Sequence, residues 1–371
     1  METKHRIYVD NSNDLSRIDD DEIELVITSP PYPMIEMWDE LFTSFNSGIE
    51  SALDRGDGRG AFELMHEELD KTWEEINRVL VDGGVACINV GDATRKVDNS
   101  FRVYQNHARI TEYFDGMGFE PLPDILWRKP TNSAAKFMGS GMLPPNAYAT
   151  LEHEYLLIFR NGKSSRDFPS GTDVRYESAY FWEERNEWFS DVWEDIRGTF
   201  QELGNADEEL RDRSAAYPLE IPYRLINMYS IYGDTVLDPF WGTGTTSLAA
   251  MIAGRNSVGY ELREQFVDVF NDAMKEIKDL AHSTVSERIE RHETFVEQRL
   301  EDGNSFNYEA ENYDFPVITK QEKLLQLYAI DSIEEAKDGY WVTHMPYDES
   351  TSTGTGTGTR QEQATLGSQF D

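Results

Sequence analysis

Asp238-Pro239-Phe240-Trp241-Gly242-Thr243-Gly244 decides the fold. It leaves a short apolar run, Thr235-Val236-Leu237, and leads into Thr245-Thr246-Ser247-Leu248, which reads as the start of a helix over 245–254. A strand that turns through glycines into a helix is the ligand corner of an open α/β sheet. Backbone can approach a ligand closely there, and the helix N-terminus favours an anion. The next strand, Ser257-Val258-Gly259-Tyr260, ends on Glu261, where a carboxylate can accept hydrogen bonds from two ribose hydroxyls. On these residues alone three readings stand: S-adenosylmethionine (SAM) with its carboxylate at the helix start, a nicotinamide dinucleotide, or a strand-turn-helix without ligand. The third glycine of the dinucleotide fingerprint would fall at Ser247.

A second strand, Glu24-Leu25-Val26-Ile27-Thr28, has the β-branched enrichment of a buried parallel strand and runs into Ser29-Pro30-Pro31-Tyr32. Tandem prolines fix φ and carry no N–H, so this backbone is rigid and presents only acceptors. Such a clamp suits an aromatic ring amine, whose lone pair is delocalised. Ser29 Oγ and the Pro30 carbonyl, accepting from its two hydrogens, would draw the nitrogen toward tetrahedral geometry and free the pair for attack on a sulfonium methyl. Tyr32 offers a face for a flipped-out base, and orientation with preorganised acceptors does the catalysis. The plain alternative is a Pro-Pro turn with Tyr32 as core filler.

Around these motifs strands and helices alternate. Arg6–Val9, 85–90, Asp124–Trp127 and Glu154–Phe159 read as further strands, and 61–80, 103–117 and 263–300 as helices, giving an α/β layered sheet. Residues 164–213 break the rhythm, with Trp182, Trp188 and Trp193 and no clean period. Residues 301–371 hold fourteen acids against four bases and end in Thr-Gly repeats, which read as a disordered tail.

Composition narrows the classes. No run of about 18 apolar residues exists, and no apolar signal core follows Met1–Arg6, so a cytoplasmic protein is expected. The single cysteine, Cys87, excludes an intrachain disulfide or cysteine metal cluster, and seven scattered histidines give no metal spacing. Cys87 sits between Ala86 and Ile88 in a core strand, so thiolate chemistry at a base carbon is disfavoured. Net charge is −36, with 70 Asp and Glu against 34 Lys and Arg. Acid-rich, lysine-poor surfaces suit molar salt, where the Debye length shrinks to about 3 Å, and point to a halophile.

The two motifs together resemble the SAM-dependent DNA amino-methyltransferases, and the order, catalytic tetrapeptide first and glycine loop second, is that of their β class. The resemblance covers about 1–165 and 214–275. It implies a Rossmann-like methyltransferase fold with a mostly parallel seven-stranded sheet and circularly permuted motifs. It also implies SAM as cofactor and Ser29, Pro30, Pro31 and Tyr32 as the catalytic clamp. Asp238, Pro239, Phe240, Gly242, Gly244, Thr245, Thr246 and Glu261 correspond to the SAM loop and ribose acid. Tyr217 opens the helix that closes over the methionine end, and Asp10 takes the place of an acid facing the adenine. Two positions depart from the pattern: Trp241 stands where small residues are common, and Val9 where a glycine precedes the acid. A serine at the first catalytic position is associated in this family with cytosine N4, an acid with adenine N6.

DNA with a flipped base is the partner so implied, in a restriction-modification or solitary role, with a cognate endonuclease as a second partner. Residues 127–175 hold seven bases and four acids, a local net-positive stretch in an acidic chain. Arg128, Lys129, Lys136, Arg160, Lys163, Arg166 and Arg175 are therefore the phosphate candidates. Trp127 either flanks the flipped base or belongs to the core. The expected division is a catalytic half at 1–165, a target-recognition insertion at 166–213, a SAM-binding half at 214–300 and the acidic tail at 301–371. A nucleotide-binding module or NAD-type oxidoreductase is the competing class, and it leaves the Pro-Pro-Tyr element without purpose.

Overall fold

The computed structural model describes residues 1–129, 138–169, 171–196 and 217–348. One eleven-stranded sheet organises them. Its strands are β1 (Glu2–Val9), β2 (Ile23–Thr28), β3 (Leu80–Val90), β4 (Phe119–Pro121), β5 (Ile125–Arg128), β6 (His153–Asn161), β7 (Val192–Trp193), β8 (Thr235–Asp238), β9 (Asn256–Glu261), β10 (Tyr328–Ala336) and β11 (Gly339–Pro346). Their spatial order is β7-β5-β6-β3-β2-β8-β9-β1-β11-β10, with β4 beside β6. The central run β3-β2-β8-β9-β1 is parallel throughout.

Strand alternation supplies two cores, one per face. Val26, Ala86 and Ile88 point into a layer built on the helices Gly58–Val79 and Asn106–Met117, with Trp73, Ile76 and Phe114 fully buried. Leu25, Ile27 and Cys87 point the other way, onto the helices Glu220–Tyr229 and Thr245–Ile252. Strands apolar on both sides are what a parallel sheet covered by helices requires. Cys87 is fully buried, and burial pushes its thiol well up, so it is an inert packing group.

All seven expected strands are present, and four more extend the sheet. The largest addition is the β10/β11 hairpin from the acidic C-terminal region, whose β11 pairs antiparallel with β1. Its amphipathic pattern is masked by charge: Val342 is buried while Glu334 and Glu335 face solvent. The expected long helix after 263 is two, Gln265–Ala273 and Ile277–Glu301. Of the irregular stretch after 164, Phe181, Trp188 and Trp193 are core residues. Lys136, residues 197–213 and the Thr-Gly repeats of the tail lie outside the described residues. No described helix is long and apolar enough to cross a membrane.

Candidate active site

β2, β8 and β9 are neighbours with their carboxyl ends on one rim, so the segments leaving them converge although about two hundred residues separate them. Between these segments lies a hollow of about 1270 Å³, open solvent at its mouth included. Ser29, Pro30, Pro31 and Tyr32 line it, as do Asp10, Tyr217, Asp238, Pro239, Phe240, Gly242, Thr245 and Glu261. Gly244 and Thr246 do not line it. They form the layer behind: Gly244 has φ +79° and packs against Trp241 and Phe270, while Thr246 donates to Asp238 at 2.6 Å.

Asp238 ties the two motifs together. Its buried carboxylate accepts from Thr28 Oγ1 at 2.6 Å and from the Phe240 N–H at 3.1 Å, besides Thr246, and Tyr217 OH lies at 3.4 Å. Burial pushes its acid up to about 6 despite these donors. Thr28 precedes the catalytic tetrapeptide, so one carboxylate fixes both strand ends relative to each other.

The glycine-loop side has the polar pattern of a ribose site. Glu261 Oε2 accepts from the Gly242 N–H at 2.9 Å and Oε1 from the Arg263 N–H at 3.0 Å, which leaves each oxygen further acceptor capacity. Burial pushes this acid too up to about 6. Gly242 has φ +54°, and only the Phe240 carbonyl, at 3.9 Å, comes near the place of a Cβ, so a ligand has room. Tyr260 lines the hollow, while its hydroxyl is buried and without a hydrogen-bond partner among the described residues. Phe240 stands edge-on against Trp73. Trp241, unexpected at its position, turns away into the core against Gly259 and donates to Ser247 Oγ at 2.8 Å. Ser247 is thus engaged in packing, where a dinucleotide fingerprint would need its third glycine.

The tetrapeptide side is organised by two residues that sequence reasoning did not single out. Tyr32 OH donates to Glu154 Oε2 at 3.0 Å and accepts from Asn89 Nδ2 at 3.0 Å, and Ser29 Oγ lies 3.1 Å from it. With the tyrosine hydrogen committed to a carboxylate, Ser29 is the donor of its pair. Asn89 Nδ2 approaches one Ser29 lone pair at a long 3.5 Å, and the other is left to accept, as the amine clamp needs. Asn89 also donates to Glu154 at 2.8 Å, and Lys129 pairs with the other Glu154 oxygen at 2.9 Å. Asn89 Oδ1 is buried and has no partner among the described residues. Burial and the Glu154 charge push the Tyr32 hydroxyl well up, so it stays protonated. Asn89 ends an apolar strand and Glu154 begins one, a weak signal of a polar group at a strand's rim.

The phosphate candidates divide by rim. Arg128 and Lys129 end β5 on the site's side, Arg128 exposed and paired with Glu194 at 3.0 Å. Arg160 lies at the far end of β6, paired in register with Val85, and its guanidinium donates to the Lys163 carbonyl. Arg166 forks onto Asp234, just ahead of β8, at 3.0 and 2.6 Å. Arg166 and Arg175 share the Phe168 ring. Arg160, Lys163, Arg166 and Arg175 therefore sit at the amino rim, away from the hollow, because β6 runs antiparallel and carries the chain across the sheet. Trp127 is core: it is buried, and its indole N–H donates to the Ile196 carbonyl at 3.0 Å.

The sequence model of the N6/N4 DNA methylases matches residues 23–272. This chain belongs to that DNA methylase family. The Type II methyltransferase M.MthZI of Methanothermobacter thermautotrophicus is 52% identical over 331 residues, 88% of this chain and 91% of the relative. M.MjaI of Methanocaldococcus jannaschii, also a Type II methyltransferase, is 48% identical over 281 residues, 73% of this chain and 91% of its own. Among solved structures, TTHA0409 of Thermus thermophilus, a candidate DNA modification methylase complexed with SAM, superposes with a TM-score of 0.57 at 29% identity, covering 74% of this chain and 94% of its own. The methylase is thus a β-class amino-methyltransferase with a Rossmann-like fold, and SAM is its cofactor. The free acceptor capacity of Glu261 and the open space at Gly242 fit that cofactor's ribose.

Proposed function

We propose that this methylase transfers a methyl group to the exocyclic N4 of cytosine within a specific duplex sequence, as the modification half of a restriction system. The observation that carries the reading is the hydroxyl chain from Ser29 through Tyr32 to Glu154, which leaves Ser29 Oγ an acceptor beside the SAM side of the hollow. Bound SAM supplies an electrophilic sulfonium methyl. Ser29 Oγ and the Pro30 carbonyl hold the two amine hydrogens, Tyr32 stacks on the extruded base, and Asp238 keeps clamp and loop in register. The amine nitrogen is itself the nucleophile, so no covalent enzyme adduct forms and the inert Cys87 is not needed; the proton it sheds passes to solvent. The first residue of the clamp being Ser29 favours cytosine over adenine. The restriction role rests on the similarity to M.MthZI and M.MjaI, both named Type II methyltransferases. The −36 charge supports a protein working in molar salt.

Transfer of tritiated methyl from SAM to unmethylated DNA across 0.1–3 M KCl (roughly one to two decades of salt, to span the Debye range), followed by nucleoside mass spectrometry, tests all of this. N4-methylcytosine is the expected product, with activity retained at the salty end. N6-methyladenine would replace the cytosine reading, and the absence of transfer to any DNA would sink it.

A further inference from the structure

Two small hairpins stand on the carboxyl rim beside the tetrapeptide side of the hollow. Ala93–Val97 pairs with Ser100–Tyr104 immediately after β3 ends at Val90. Met138–Gly139 pairs with Ala147–Tyr148 in the excursion between β5 and β6, which leaves and rejoins the sheet at that rim, where His153 faces Arg128 in register. Phe101 and Tyr148 stack with centroids 5.0 Å apart, joining the hairpins. The tip of the second is closed on itself: Ser140 N–H donates to the Asn146 carbonyl at 2.9 Å, Leu143 N–H to the Ser140 carbonyl, and Ser140 Oγ to the Leu143 carbonyl. That closure leaves Met142 84% and Leu143 71% exposed, the most exposed large apolar side chains among the described residues. Phe101, Val103 and Tyr148 continue the apolar surface. A grouped exposed patch of this kind marks a contact surface.

The surroundings say what it contacts. Lys96 and Arg102 of the first hairpin are exposed and have no carboxylate partner among the described residues, and the same holds for Arg55 and Arg59. The 55–59 turn packs on that hairpin, Gly56 against Asp98 and Gly58 against Val97 and Tyr104. Those four cations stand beside the exposed Asp54, Asp57 and Asp98, which leaves this corner near neutral in a chain of net charge −36, a place where a polyanion can approach.

We propose that Met142 and Leu143 form an apolar wedge that enters the base stack of duplex DNA where the target nucleotide swings out toward Tyr32. A base leaving the duplex opens a gap and breaks stacking, and apolar side chains inserted there offset that cost. In molar salt charge attraction is screened beyond about 3 Å, so a short-range apolar contact at the point of extrusion is the more needed. The wedge rests on DNA being the acceptor, and is indifferent to which base is methylated.

The test uses the full chain and the site mapped by mass spectrometry. A Met142→Ser/Leu143→Ser variant is compared with wild type on two duplexes, one fully paired and one with an abasic position opposite the target, where extrusion is already easy. The expected result is a loss of about tenfold in kcat/KM on the paired duplex and less than about twofold on the abasic one, with SAM affinity unchanged. A Met142→Leu/Leu143→Met variant keeps the apolar tip and is expected to behave as wild type. Equal loss on both duplexes, or no loss on the paired one, overturns the wedge. So does sedimentation showing a self-associated wild type and a dissociated serine variant, which would make the patch a subunit interface. A wild-type chain that methylates neither duplex instead overturns the DNA reading itself.

Discussion

The two sides of the hollow are held together differently. On the glycine-loop side Glu261 is positioned by N–H groups of Gly242 and Arg263, 19 and 2 residues away. On the tetrapeptide side Tyr32 is positioned by Asn89 and Glu154, 57 and 122 residues away on two other strands. The first is a local device, complete once one strand-turn-helix and the next strand have formed. The second exists only when β2, β3 and β6 are side by side. Mutations should therefore separate cofactor affinity from turnover on DNA.

The largest separation is expected from Tyr32→Ala. Lost stacking of about 1–3 kcal/mol corresponds to a fall of roughly 5- to 150-fold in kcat/KM for DNA, while SAM affinity by calorimetry stays within about twofold. If both parameters fell together, the two sides would be one cooperative unit and the comparison would be wrong. Phe240→Ala is the converse, weakening SAM binding by about tenfold through lost aromatic packing, with methyl transfer at saturating SAM largely kept.

A pH series sharpens the contrast. Because burial raises Glu261 from 4.5 to about 6, its carboxylate takes up a proton as pH drops through about 6 and loses acceptor capacity for ribose hydroxyls. SAM affinity should then weaken across that range in wild type and less steeply in Glu261→Gln, where Asp238, also raised to about 6, still takes up a proton. Unfolding is not the cause. A carboxyl whose acid is weaker in the folded chain binds protons more readily folded than unfolded, so its contribution to stability grows as pH falls from about 6 toward 4.5. A SAM dissociation constant independent of pH in wild type would remove Glu261 from the ribose site.

The smallest expected effects compare the two rims. Arg128→Ala should reduce the slope of log affinity against log salt by up to about 1, the signature of one phosphate contact. Arg166→Ala should leave that slope unchanged and lower stability by about 1–3 kcal/mol, because the buried Asp234 carboxylate loses its fork. A changed slope in Arg166→Ala would place DNA on both rims.

This division explains what was legible beforehand. Strand, glycine turn, helix and terminal acid lie within one short stretch, so Asp238 to Glu261 could be read directly. Ser29–Tyr32 was legible from its residue types, since tandem prolines allow few backbones. Asn89 and Glu154 were hidden, because a single polar residue at a strand end has no period and its partner is set by sheet order. The same sheet order misled the reading of charge: residues 127–175 are contiguous in sequence, yet antiparallel β6 carries Arg160 and its successors to the opposite rim. Lys96 and Arg102, further cations toward the carboxyl rim besides Arg128 and Lys129, fall in a stretch whose composition drew no attention.

The pairing of β1 with β11 also has a consequence for biosynthesis. Thr3 Oγ1 and His344 Nε2 meet at 2.8 Å across 341 residues, and the two strands pair from Glu2 opposite Thr343 to Arg6 opposite Gly339. On the ribosome β1 is made long before the segment that covers its outer side, so through most of translation it presents an open edge to neighbouring nascent chains. Shortening the chain ahead of β10 would make that passing exposure permanent, and aggregation during expression, rather than loss of chemistry, is the outcome to watch for.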